Sequence, residues 1–88
     1  MADVVITLRI MPKDIHIDLL KVEKAAKVEI ISYCNSREFK TSIVPIAFGL
    51  RALDIIFVMD ESKGSTEKLE EKLRNIEDVE SVEVTDVR

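Results

Sequence analysis

The segment from Arg51 to Met59 constrains the fold of this chain more than any other segment. Its apolar side chains fall on both faces of an extended backbone: Leu53, Ile55, Phe57 and Met59 on one face, and Ile56 and Val58 on the other. A strand that is apolar on both faces is typically central in its sheet. Such a strand needs a neighbour on each side, so the flanking sequence must supply further strands.

The sequence before this segment contains one strand pattern and one helix pattern. Apolar residues recur at every second position from Val4 to Ile10 and predict a first strand, which Pro12 ends. Asp18 is a suitable N-cap for a helix that extends to about residue 31. The helix has an apolar stripe at spacings of three and four residues: Leu19, Val22, Ala26 and Ile30.

Three more elements complete the chain. Alternating side chains predict a second strand from Glu38 to Val44, with Pro45 as its end. The turn residues 64–66 provide an N-cap for a second helix, whose inward side chains are Leu69, Leu73 and Ile76. Val82 and Val84 then alternate with polar residues in a last strand.

This order, strand–helix–strand followed by strand–helix–strand, predicts an α+β, ferredoxin-like (split βαβ) fold. Four antiparallel strands would form one sheet, with both helices on one of its faces. A chain of 88 residues supports one compact core of two layers, so we expect residues 1–88 to form a single domain.

Composition and charge favour a cytoplasmic protein that does not bind nucleic acid. Residues 60–88 contain 10 acidic and 5 basic side chains, and residues 1–59 contain 7 and 8. The acidic last third should repel phosphate backbones. No apolar stretch approaches the ~20 residues of a membrane helix, and the single Cys34 fits a reducing compartment.

The sequence contains no recognisable catalytic, metal-binding or cofactor-binding motif. His16 is the only histidine, which makes a zinc site improbable. Gly49 and Gly64 are isolated, whereas a phosphate-binding loop needs closely spaced glycines. We therefore expect no catalytic residue, no cofactor and no metal ligand, and a protein that is not an enzyme.

One segment, from Pro45 to Leu50, departs from the usual chemistry of an inter-strand connection. Such connections are polar, yet this one is apolar and contains Phe48. Two interpretations follow from the residues alone. Either Phe48 folds back and packs over a sheet edge, or it is an exposed aromatic anchor for the pocket of a partner protein.

The same segment carries a family resemblance. The runs Pro45–Leu53, Val58–Glu61 and Val79–Val87, together with Asp3–Val5 and Met11–Pro12, resemble the archaeal translation elongation factor 1-beta family. The resemblance covers essentially the whole chain. It implies a ferredoxin-like guanine-nucleotide exchange factor that promotes exchange of GDP for GTP on the elongation factor 1-alpha GTPase in the cytoplasm, without chemistry of its own.

The resemblance also implies which residues bind the GTPase. Phe48 matches the aromatic that inserts into the GTPase, with Ala47 and Gly49 beside it, and Arg51 matches a basic residue at the start of the next strand. The family's basic residue near the C-terminus matches a position one residue after Arg88. Either Arg88 takes over its role, or archaeal members depend less on it. The implied GTPase-binding set is Pro45, Ala47, Phe48, Gly49, Leu50, Arg51 and Arg88.

Two other function classes remain open at this point. A ferredoxin-like domain can bind a small ligand or act as a regulatory module that dimerises through its sheet. An RNA-binding domain is a third possibility, with affinity that falls steeply with salt. For the exchange factor we expect a monomer whose partner is the elongation factor 1-alpha GTPase.

Overall fold

The computed structural model describes residues 3–35 and 38–88. Within them the chain forms strands β1 to β4 and helices α1 and α2, with one short 3-10 helix at Glu61–Lys63. In chain order the elements are β1 (Asp3–Pro12), α1 (Leu19–Cys34), β2 (Phe39–Ala47), β3 (Leu50–Asp60), α2 (Glu67–Arg74) and β4 (Val79–Val87). The sheet order is β2-β3-β1-β4, and all neighbouring strands are antiparallel. The ferredoxin-like fold predicted from the sequence is confirmed.

A single core joins both helices to one face of the sheet. β3 pairs with β1 on one side and with β2 on the other, as its apolar pattern predicts. Each helix contributes to the same buried cluster as β1 and β3. The buried side chains of that cluster in the three central elements are Ile6, Leu8, Ile10, Leu19, Val22, Ala26, Ile30, Leu53, Ile55, Phe57 and Met59.

Helix α1 is set by its caps and its apolar stripe. The Asp18 carboxylate accepts a hydrogen bond from the Leu20 N–H at 3.0 Å, which confirms the predicted N-cap. The helix continues three residues beyond the expected end at residue 31. It stops at Asn35, which has φ 56° and donates its N–H to the Ile31 carbonyl. Asparagine tolerates this left-handed conformation, so it ends the helix as glycine often does.

One predicted strand boundary is wrong, because the position of the strand in the sheet decides whether proline is tolerated. Pro45 does not end β2, which continues to Ala47. Because β2 is an edge strand, proline can be accommodated there without loss of a central ladder bond. β4 contains the predicted alternating residues Val82 and Val84 and begins at Val79, directly after Asp78, which has a φ of 77°.

The burial pattern predicts a large loss of stability when one phenylalanine is replaced by alanine and a small change when another is. Phe57 is 0% exposed and Phe48 is 101% exposed. Phe57→Ala should lower the free energy of unfolding by about 3–5 kcal/mol, because it removes a buried ring and leaves a cavity. Phe48→Ala should change it by no more than about 1 kcal/mol. Urea denaturation of both variants measures the difference, and similar midpoints for the two would contradict the assigned core.

Candidate functional site

The connection between β2 and β3 is a two-residue turn at the tip of a hairpin. Ala47 pairs with Leu50, and only Phe48 and Gly49 lie between them. Their φ angles are 52° and 81°, and two positive values are the signature of a type I′ turn. The longer apolar connection expected from Pro45 to Leu50 is therefore wrong: most of it belongs to the strands, and a register shift leaves Ile46 as the extra residue.

The Phe48 side chain lies in solvent. Its exposed fraction is 101%, so the ring contacts neither the sheet edge nor its own loop, and the interpretation that it packs over the sheet is wrong. Pro45, Ala47, Gly49 and Arg51 are exposed as well, and Leu50 is half-buried. The structure thus brings together the six hairpin residues of the predicted site around one exposed aromatic ring.

The backbone at Phe48 is unfavourable for the residue that occupies it. A left-handed conformation costs an L-residue with a β-carbon about 1–2 kcal/mol, and Asn or Gly usually occupies this position of a type I′ turn. A large aromatic here loses backbone stability and gains no burial. Strain of this kind concentrates at functional sites, so the turn is the strongest candidate site in the fold.

Arg51 adds a positive charge next to the turn. It pairs across the hairpin with Pro45, and its side chain is exposed. Among residues 3–35 and 38–88 it forms no ion pair, in contrast to Arg9, which binds Asp54 through two hydrogen bonds of 2.9 and 3.2 Å. The charge of Arg51 is therefore available to an acidic surface on another molecule.

Arg88 lies at the opposite end of the sheet from Phe48. Its backbone N–H and C=O each bond to Val5 at 2.9 Å, and Val5 pairs with Val58 on β3. Val58 is eight residues along β3 from Leu50, which is about 26 Å at the usual rise of a strand. The Arg88 guanidinium contacts Asp86 at 2.7 Å. The predicted binding set is thus divided between two ends of the molecule.

Two side chains outside the hairpin have shifted pKa values, and both shifts come from local partners. The Asp54 carboxylate, which accepts hydrogen bonds from Arg9 on the open face of the sheet, raises the pKa of Arg9. The backbone N–H of Ser62 donates to Asp60 and lowers the pKa of that carboxyl group. Both groups have structural roles: one pair joins β1 to β3, and the other caps the 3-10 helix.

In the described part of the chain, no group of three or more His, Cys, Asp or Glu side chains is arranged to hold a metal ion. No helix within the same residues has the length and apolar character needed to cross a bilayer.

One neighbour of the turn was missed by the sequence analysis. A β-carbon placed on Gly49 would lie 3.8 Å from Cγ2 of Ile15, so the β1–α1 connection touches the tip of the hairpin. The available signal was a pair of isoleucines, Ile15 and Ile17, among the polar residues of the β1–α1 connection. The proximity of Ile15 to Gly49 could not be recognised, because the two residues are 34 positions apart in the chain.

A ferredoxin-like domain with an unburied phenylalanine at a hairpin turn exposes the kind of side chain that often anchors protein interfaces. The model of one protein family, described as the EF-1 guanine nucleotide exchange domain, matches residues 5–88. The chain belongs to this family, in agreement with the resemblance carried by its hairpin segment.

Archaeal relatives named "Elongation factor 1-beta" align along nearly their full length. The protein of Methanobrevibacter smithii is 39% identical over 88 residues, which cover 100% of this chain and 97% of the relative. The protein of Methanothermobacter thermautotrophicus is 41% identical with the same coverage. The protein of Archaeoglobus fulgidus is 36% identical over 99% of this chain and 97% of its own length.

The turn geometry predicts that Phe48 lowers the free energy of unfolding relative to a residue that favours the turn. Phe48→Asn places the preferred Asn-Gly pair in the type I′ turn and should raise the free energy of unfolding by up to about 1 kcal/mol. Phe48→Leu keeps a bulky side chain in the same backbone conformation and should leave it nearly unchanged. Thermal unfolding of the three proteins tests this, and an Asn variant that melts below the wild type would exclude backbone strain at Phe48.

Proposed function

We propose that this chain is a guanine-nucleotide exchange factor that promotes exchange of GDP for GTP on elongation factor 1-alpha during translation elongation. Two findings support the proposal: the exchange-domain family covers residues 5–88, and its archaeal relatives are named Elongation factor 1-beta. The single observation that carries it at residue level is the fully exposed Phe48 on a strained turn.

The proposed activity requires binding and no covalent chemistry. GDP and Mg²⁺ stabilise one state of the GTPase, and the exchange factor binds a state with weaker affinity for them. Because the two equilibria are linked, the exchange factor and the nucleotide lower each other's affinity by the same factor. GTP then enters because binding follows mass action.

In this mechanism Phe48 is the side chain that enters the GTPase. Mg²⁺ requires a nearly ideal octahedral shell, so a small displacement of the loops that hold it is sufficient to release it. An aromatic ring on a two-residue turn is suited to cause such a displacement, because paired strands hold the turn on both sides. Pro45, Ala47, Gly49 and Leu50 flank Phe48 in the hairpin, and Arg51 beside the turn complements an acidic GTPase surface.

Arg88 serves as a second contact in this proposal. A GTPase that touches both Phe48 and Arg88 must present a surface about 26 Å long, the distance along β3 between the two ends. Such a span suits a multidomain partner better than one small pocket. We further propose that the chain acts as a single domain and as a monomer, and that it makes no direct contact with nucleic acid.

The proposal is tested first by release of labelled GDP from elongation factor 1-alpha of the same organism. The wild-type chain should accelerate release, and Phe48→Ala should weaken its binding to the GTPase by ~2 kcal/mol or more, as interface hot spots do. Leu20→Ala is the matched control, because Leu20 is 61% exposed on α1 and lies outside the hairpin.

Thermal melts run beside the assay show whether each variant is folded, so that a loss of stimulation can be assigned to binding. A wild-type chain that leaves GDP release unchanged contradicts the proposed function. Normal stimulation by a folded Phe48→Ala variant contradicts the role of Phe48 while leaving the function intact.

The role of Arg88 has its own test. If Arg88 acts on the magnesium and phosphate site, Arg88→Ala should slow exchange mainly in the presence of Mg²⁺. The fold should persist, because the substitution keeps both backbone bonds of residue 88 to Val5 and removes only an exposed side-chain contact with Asp86. Arg74→Ala, on the exposed face of α2, is a control of equal charge change. Equal rates for wild type and Arg88→Ala across a magnesium titration would remove Arg88 from the mechanism.

A further inference from the structure

The connection between β1 and α1 is held by hydrogen bonds in a way that exposes Ile15. The Asp14 carboxylate accepts a hydrogen bond from the His16 N–H at 2.7 Å and closes a local turn around Ile15. The Lys13 N–H donates to the Asp78 carbonyl at 3.0 Å and joins the loop to the segment before β4. Ile15 is 53% exposed. A large apolar side chain is therefore exposed on a hydrogen-bonded loop, whereas the other isoleucine of this loop, Ile17, packs against the core.

The fold places this loop against the hairpin turn. β1 and β3 are antiparallel and Ile10 pairs with Leu53, so the end of β1 lies beside the start of β3. Cγ2 of Ile15 would be 3.8 Å from a β-carbon on Gly49, which is ordinary van der Waals distance. Ile15 thus lies close to the residue that follows Phe48.

Exposed apolar side chains gather at this end of the molecule. The described residues expose nine large apolar side chains, and four of them belong to the hairpin or touch its tip: Ile15, Ile43, Ile46 and Phe48. Phe48 projects furthest, with a fully exposed ring. In protein interfaces, an aromatic hot spot is surrounded by contacts that exclude water from it. Ile15 lies where it could exclude water from one side of Phe48 in an interface.

We propose that Ile15 is a second apolar contact for the GTPase, continuous with the hairpin, so that the docking surface is formed by two loops rather than one. This proposal rests on the proposed exchange function and names a residue that the family resemblance does not assign. The occupant is the same GTPase surface that receives Phe48. Ile15 covers the Gly49 side of the turn, and the ring occupies the centre.

The test is a titration of Ile15→Ser and Ile15→Asp in the GDP-release assay with elongation factor 1-alpha. Both variants should need about tenfold more protein for half-maximal stimulation, as expected for an interface residue. The maximal rate at saturation should stay that of the wild type, because Phe48 still enters the GTPase. Ile15→Val should restore most of the affinity. Val28→Asp, at a position that is 64% exposed on α1, is the control and should behave as wild type.

Each outcome separates this inference from the proposed function. A folded Ile15→Asp variant with wild-type half-maximal concentration overturns the inference, and the function stands if wild type still stimulates release. A lower maximal rate at unchanged half-maximal concentration also overturns it, because Ile15 would then only support the turn. If wild type itself does not stimulate release, the proposed function fails, and direct binding of each variant to the GTPase by calorimetry still tests Ile15. Thermal melts verify that each variant is folded.

Discussion

The pairing of β3 with both β1 and β2 is the constraint on which the rest of this structure depends. Leu53, Ile55, Phe57 and Met59 are buried on the face that the helices cover, whereas Asp54, Ile56 and Val58 on the opposite face are half-buried between the two flanking strands. At the end of β3 next to the turn, Arg51 is exposed and Leu50 is half-buried. The hairpin therefore extends beyond the core, and whatever side chain occupies its turn is held in water.

The turn holds a residue that neither its backbone conformation nor its burial favours. Consistency between local preference and global fold is the usual mark of a natural sequence, and exceptions are expected at functional positions. Phe48 is such an exception twice, since its φ is 52° and its ring is unburied. Gly49, with φ 81°, satisfies the second half of the same turn without strain. The conflict is thus confined to one residue, and the pairing of Ala47 with Leu50 closes the turn around it.

The parts of the fold predicted correctly are those governed by periodicity and capping. The stripe of α1 and its cap at Asp18 were visible because both depend on residues a few positions apart. The central position of β3 followed from its two apolar faces. Pro45 misled the prediction because its effect depends on whether the strand lies at an edge, which is a property of the assembled sheet.

The candidate site was only partly predictable for a related reason. Apolar character and the resemblance identified the hairpin segment, but Phe-Gly is not a usual type I′ sequence, so the tight turn was missed. The contact of Ile15 with Gly49 and the separation of Arg88 from Phe48 arise from strand order and register. Neither property is encoded at short range in the chain.

A two-residue turn would suit the proposed exchange factor, which must bind the GTPase and then leave it. Association loses affinity for every side chain and loop that it must order. A two-residue turn carries no loop to order, and a phenylalanine has only two side-chain torsions, so most of the interaction remains as affinity for the nucleotide-weak state. Reciprocal linkage also sets an upper limit to the affinity of the exchange factor for the GTPase. If the complex were too stable, GTP could not displace the exchange factor and the cycle would stop. A small apolar surface centred on one ring meets both requirements, whereas a large hydrophobic interface would meet only the first.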